Sequence, residues 1–277
     1  MQRWVSSSNS GRVVGLAFLF LQSVLIYRVV AGGTTPTNLT STYNNSGPTV
    51  QTVQSYLNRT FLTAHTTAPF ESTGGDLIVV CASSHSGVIM TPSDSLSNTW
   101  IAGAGPTNTS TGFNLRTQLW YAKHPAVGPG HTFTLNLSAP QSLVISVLVV
   151  RGSNKSDPID AISEIGDDQG TESLNVASPA ITIRNANDLL IGFGKSSISE
   201  RWTAGDGFAL QKMASSDYLD SEIAWALKPG IYNSKFSINS FGTWQALAVA
   251  VRPAIDSSVG KTDKPKAPAN RHVDRPS

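Results

Sequence analysis

Ser142-Leu143-Val144-Ile145-Ser146-Val147-Leu148-Val149-Val150-Arg151 and Thr243-Trp244-Gln245-Ala246-Leu247-Ala248-Val249-Ala250-Val251-Arg252 are two apolar runs that each close on arginine. Neither has the spacing of an amphipathic helix. The first is apolar on both faces, as a strand in the middle of a sheet is. Upstream of each run the same landmarks recur in the same order. Asp76-Leu77-Ile78-Val79 resembles Asp188-Leu189-Leu190-Ile191, and Trp100-Ile101-Ala102-Gly103 resembles Trp202-Thr203-Ala204-Gly205. Trp120-Tyr121-Ala122-Lys123 resembles Trp225-Ala226-Leu227-Lys228, and Phe133-Thr134-Leu135-Asn136 resembles Phe236-Ser237-Ile238-Asn239. Five matches in one order point to two similar halves, residues 75–152 and 187–253. Neither half covers both faces of its own sheet, so the two are expected to pack together around one core.

Between these landmarks, short apolar or alternating segments are separated by Gly, Pro, Asn, Asp and Ser. The pattern predicts strands over 76–83, 88–91, 117–123, 131–137, 142–151, 180–183, 188–194, 208–213, 222–228, 231–238 and 243–252. No helical period longer than two turns stands out. The expected fold is all-β: a two-layer antiparallel β-sandwich, jelly-roll-like, filling residues 50–255 as a single domain.

Composition agrees with that class. Charged residues are 14% of the 277-residue chain, against roughly 25% in an average globular domain, which disfavours a helical bundle or coiled coil. Ser and Thr are abundant. The net charge of +2 is unevenly placed. Arg3, Arg12 and Arg28 lie at the N-terminus, and residues 256–277 carry five basic against three acidic side chains, so −3 is left for the stretch between. That stretch lacks the basic footprint that phosphate recognition needs, so nucleic acid is not an expected partner.

Residues 1–31 combine two early arginines, the apolar run 13–26 and small or medium residues at Val29-Val30-Ala31. They read as a signal peptide, with an uncleaved anchor as the rival. The apolar part is short for a ~30 Å hydrocarbon core. Either way the remainder is expected to be secreted or periplasmic, or membrane-anchored and extracytoplasmic. The only membrane contact foreseen is through an uncleaved leader. Residues 32–49 read as a linker and 256–277 as a Pro-rich basic tail. Cys81 is the single cysteine. It sits in an apolar run and reads as a buried hydrophobe rather than a nucleophile.

The motifs carry little chemistry. Ser93-Asp94-Ser95-Leu96-Ser97-Asn98-Thr99-Trp100 reads as a turn, since it lacks the glycine and terminal glutamate of a calcium loop. Residues 153–172 hold Asp157, Asp160, Glu164, Asp167, Asp168 and Glu172 with a single lysine, Lys155, near their start. A solvated acidic loop is the plain reading. Ca²⁺ is the one cofactor to consider there, with Asp160, Asp167 and Asp168 the first residues to test. Trp100, Trp120, Trp202 and Trp225 recur in pairs, which suits core packing better than a sugar-stacking platform. Trp244 has no assigned place. His124 and His131 flank a Pro/Gly turn across which they could meet. No catalytic residue and no metal ligand are assigned: there is no G-x-S-x-G, H-E-x-x-H or Walker A motif.

The order D-L-I-V-V, S-D-S-x-x-N-T-W, L-W-Y-A-K, H-T-F-T-L, P-I-D, N-D-L-L-I-G-F and W-Q-A-L-A-V-A-V resembles exported bacterial β-sandwich modules of jelly-roll-like or lectin-like type. The resemblance spans residues 76–253 and implies a fold rather than an activity. The glycine usual before the asparagine of the turn motif is Ser97 here.

The expected function is an exported, non-catalytic binding module for carbohydrate or cell-surface material, acting as a monomer. Two alternatives stand beside it: a structural or adhesive envelope protein, and a polysaccharide hydrolase or lyase. The last requires two carboxylates, or a His–Tyr–Arg group, to converge in a cleft.

Overall fold

The structure, a computed structural model, describes residues 47–85, 88–108, 115–167, 173–197, 201–211 and 219–254. The leader, most of the linker, the basic tail, Asp168 and Glu172 lie outside the described residues. Among the described residues every regular element is a strand and every sheet is antiparallel. The strands of the first part are β1 (Thr49–Thr66), β2 (Leu77–His85), β3 (Met90–Asp94), β4 (Ile101–Ala102), β5 (Thr107–Asn108), β6 (Leu115–Lys123) and β7 (Phe133–Arg151). Then come β8 (Ile159–Ile162), β9 (Gly166–Asp167), β10 (Asn175–Ala177), β11 (Ile181–Ile183) and β12 (Asp188–Ser196). The last are β13 (Thr203–Ala204), β14 (Ala209–Gln211), β15 (Leu219–Leu227), β16 (Gly230–Tyr232), β17 (Lys235–Ser237) and β18 (Trp244–Val251).

Two large sheets dominate. The first runs β1-β7-β2-β6-β4, with β3 also on β7 and β5 on β6. The second runs β14-β15-β12-β18-β8, with β9 also on β18. The central order β7-β2-β6 of the first matches β18-β12-β15 of the second, strand for strand along the chain. Two small sheets, β10-β17-β13 and β11-β16, complete the set.

One buried cluster draws on both large sheets: Leu77, Val79, Cys81, Leu119, Leu148 and Val150 with Leu189, Ile191, Phe193, Leu247, Val249 and Val251. The opposite face of the first sheet is buried too, through Ile78, Val80, Trp120, Ile145, Val147 and Val149 beside Phe133 and Leu135. On the second sheet Leu190, Ala248 and Ala250 pack on Ile181 and Ile183 of β11. Trp244 and Ala246 join Val176, Trp202, Phe236 and Ile238. Central strands therefore meet apolar neighbours on both sides, which is why β7 and β18 read as continuous apolar runs rather than alternating ones. Cys81 is fully buried, and burial pushes its thiol up.

Paired landmarks have paired surroundings. The Trp100 ring stands edge-on to Phe133, with centroids 4.9 Å apart and planes at 77°. Trp202 stands edge-on to Phe236 at 5.3 Å and 84°. Trp120 and Trp244 are also buried; the side chain of Trp225 lies outside the described residues.

Four expectations are corrected. β1 fills residues read as linker end and loop. Its inward Val50, Val53 and Leu57 do not alternate, because the register slips between Val50 and Thr52. The separate strands 131–137 and 142–151 are one strand, β7. Pro140 is tolerated inside it where β1 shifts register, from Leu62 opposite Gln141 to Ala64 opposite Asn136. The stretch 231–238 is instead two strands, β16 and β17. The acidic stretch is no plain solvated loop either, since β8 and β9 extend the second sheet.

Candidate functional site

Side chains alternate along a strand, so the face that enters the shared core can be read onward to its end. On β12 it runs Leu189, Ile191, Phe193 and then Lys195. On β2 it runs Leu77, Val79, Cys81 and then Ser83. The core thus turns polar at one end. There Thr117 Oγ1 donates to Ser83 Oγ at 3.0 Å. A cleft of about 310 Å³ opens at this end. Arg59 and Phe61 of β1 form its exposed rim, with Ser142 and Ser197 half-buried beside them. Lys195, Ser83, Ser84, Leu115, Leu143 and Val144 form its buried base.

Lys195 is 6% exposed. Its amine donates to the carbonyl oxygen of Ser196. Burial disfavours the ammonium form and lowers its pKa from 10.5 to about 7. Both protonation states are populated near neutrality. The described residues that line the cleft include two cations and no acid. Such a site suits a ligand with a negative or electron-rich group and some apolar surface.

Three other constellations have the composition of catalytic sites, but their histidine and carboxylate side chains are buried. Ser72, His131 and Asp94 stand in a row, with His131 Nδ1 3.0 Å from Ser72 Oγ and Nε2 3.4 Å from Asp94 Oδ1. Ser72 Oγ already donates to the Gly128 carbonyl at 3.1 Å and accepts the Gly128 N–H at 2.9 Å. Its proton is spent, so His131 donates to it, which is the reverse of a nucleophile and its base. Phe70 stacks on the His131 ring at 4.9 Å, and Ser72 and His131 are both buried. Burial pulls the His131 pKa down against the opposing charge of Asp94. His124, by contrast, is exposed.

Asp94 explains the turn motif. Its Oδ1 accepts the N–H groups of Leu96 and Asn98 at 2.8 and 3.2 Å, and its Oδ2 accepts Trp100 Nε1 at 2.7 Å. Ser97 takes the left-handed φ of 58° that glycine favours. In the second constellation, His65 Nε2 donates to the Gln141 carbonyl at 2.8 Å and its Nδ1 accepts the Tyr56 hydroxyl at 3.1 Å. His65 is fully buried.

The third gathers Asp160 of β8, Asp188 of β12 and Arg252. Arg252 Nη2 donates to Asp160 Oδ1 at 3.1 Å, the Arg184 N–H donates to Oδ2 at 2.6 Å, and Asn185 Nδ2 donates to Oδ1 at 2.9 Å. Burial pushes the Asp160 pKa up, but these donors outweigh it and hold the carboxyl below its ordinary range. Asp188 is fully buried. Burial first, and the Asp160 charge second, raise its pKa to about 7. Ionised, both its oxygens lack a donor. Protonated, it donates to Asp160, and the pair shares a proton. Two carboxylates do converge, therefore, but under Arg252 rather than across an open cleft.

Of the calcium candidates, Asp160 is committed to the two arginines, and Asp167 lies on β9 opposite Gln245. Among the described residues no three His, Cys, Asp or Glu side chains gather around a common point. Lys195, Arg59 and Phe61 escaped the reading of the sequence. The signal for Lys195 was present: it is the next inward position after Phe193, one residue past the predicted end of that strand. No protein-family model, curated protein or solved structure matches this chain.

Proposed function

We propose that the chain is an exported, non-catalytic binding module that takes an acidic carbohydrate, or similar anionic cell-surface material, in the Lys195 cleft. The proposed scaffold is a sandwich of two large sheets stacked face to face and assembled from two related halves. Three features support the scaffold: the cluster shared by the sheets, their matching central order and the like geometry of Trp100–Phe133 and Trp202–Phe236. One observation carries the function: an open cleft with a lysine amine at its base, an arginine and a phenylalanine at its rim and serine hydroxyls between. Phe61 offers a ring face to a sugar, the hydroxyls offer donors and acceptors, and the cations suit a uronate carboxylate.

Calorimetric titration with oligogalacturonate, and with a neutral glucan of equal length, tests the reading. The expected result is binding of the uronate at least about tenfold tighter than the glucan, weakened at least about tenfold by Lys195→Met, each about 1.4 kcal/mol. Affinity should fall as pH rises above about 7, where the Lys195 ammonium loses its proton. An absence of binding to any sugar on a glycan array, acidic or neutral, would overturn it. The hydrolase or lyase reading has less support, because its candidate carboxylates are covered. A surface-adhesive role draws on exposed Ile231, Ile89 and Phe241. Sedimentation of a clean monomer with no affinity for cell-wall material would remove that role.

A further inference from the structure

We propose that a second polar cavity, at the other end of β12 from the Lys195 cleft, is a binding site for short peptides that end in a free carboxylate. It rests on no feature of the cleft. The turn before β12 supplies Arg184 and Asn185 to the cavity, and Lys195 lies near the far end of that strand, roughly 23 Å away at ~3.3 Å per residue. The cavity measures about 650 Å³, within the range of pockets that take small ligands. Its floor is made of groups already committed. Asp160 accepts from Arg252, from the Arg184 N–H and from Asn185, and Asp157 pairs with Arg252. These contacts hold the floor rigid and leave three polar groups over.

The first is Asn154, which lines the cavity and is 8% exposed. Its backbone N–H donates to the Arg252 carbonyl at 2.9 Å. Its Oδ1 accepts the N–H groups of Ser156 and Asp157 at 3.0 and 3.1 Å, and the Ser156 hydroxyl at 2.9 Å. Two backbone donors demand an oxygen there, so the amide cannot be turned over and its Nδ2 is the end left to donate. Asn185 is the converse. Its Nδ2 is spent on Asp160, so its Oδ1 is the end left to accept. A spare donor and a spare acceptor on one cavity complement the C=O and N–H of a peptide group. The third group is Arg184. Its Nη1 donates to the Asp160 carbonyl at 3.3 Å, which orients the guanidinium, yet the side chain is 66% exposed. The outward part of that fork matches a carboxylate. The remaining walls include Ala186, Pro253 and Ala254, which suit small side chains such as alanine. No aromatic ring lines the cavity. A sugar would find no stacking platform here, which favours a peptide.

N-acetyl-alanyl-alanine is the probe, titrated calorimetrically into the full chain beside the same dipeptide closed as its C-terminal amide. The acid should bind at least about tenfold tighter than the amide. Arg184→Gln keeps the backbone N–H on Asp160 and should erase that preference, weakening the acid and leaving the amide unchanged. Ala186→Trp fills the cavity from an exposed position and should abolish binding of both, with a thermal melt to check folding of each variant. Lys195→Met should leave the dipeptide affinity unchanged while it weakens oligogalacturonate, so this site and the cleft can fail separately. Equal affinity for acid and amide, an acid affinity indifferent to Arg184→Gln, or no saturable binding of the dipeptide would overturn the proposal. Displacement of the dipeptide by a sugar whose own binding is lost in Ala186→Trp would overturn it in favour of a glycan site.

Discussion

Replacing Lys195 by methionine keeps the stem of the side chain and deletes the amine. The fold presently releases a proton from Lys195 that the unfolded chain keeps, since its pKa drops from 10.5 to about 7. Stability is therefore penalised below pH 7 and recovers as pH rises from about 7 to 10.5. Lys195→Met should stabilise the protein at pH 6 by about 1–4 kcal/mol and flatten that rise, as urea melts at several pH values would register. A buried amine that costs stability in this way is consistent with the binding role proposed for the cleft rather than with a role in holding the fold. Ser97 is a smaller case. Its φ of 58° strains a side chain with a Cβ, so Ser97→Gly should raise stability by about 0.5–1 kcal/mol in the same assay.

β12 shows how much one element carries. Its inward side supplies Leu189, Ile191, Phe193 and Lys195, and its other side brings Gly194 against the Trp202–Phe236 pair. A Cβ at Gly194 would lie 2.6 Å from Trp202 Cζ3 and 3.0 Å from Phe236 Cδ2. Gly194→Ala should therefore cost about 1–3 kcal/mol through overpacking, and thermal denaturation should show it. This strand was readable beforehand because its apolar run repeats that of β2. β1 was not readable. Its register slips scramble the alternation that would mark a half-buried strand, and its Thr, Gln, Asn and Ser side chains resemble a linker. The cleft was hidden for another reason. Arg59, Ser83, Ser142 and Lys195 lie on four strands far apart in sequence, and only the pairing of β1 with β7 and the meeting of the two sheets unite them. The Ser72–His131–Asp94 row was equally invisible. Its sealed geometry also shows why residue types alone overstate chemistry.

Across the whole molecule, Asp188 and Lys195 set opposite trends. The Asp188 pKa is raised from 3.8 to about 7. The fold holds a proton there that the unfolded chain gives up, so this contribution is full below about pH 4 and lost as pH rises to about 7. Lys195 acts in the other direction, above about 7. Together they make their joint contribution smallest near neutrality, and denaturation from pH 4 to 10 should show a shallow minimum there. Asp188→Asn supplies Asp160 with a donor that needs no proton and should remove the acidic limb alone. A minimum that persists unchanged in Asp188→Asn would refute this assignment. Finally, Arg59 and Phe61 ride on β1, the outermost strand of its sheet, whereas Lys195 belongs to β12, flanked by strands on either side. The exposed rim of the cleft and its buried base are thus housed in parts with unequal freedom to diverge. Descendants of this chain could acquire new tastes by altering a few outward letters near position 60, while the inherited amine stayed in place.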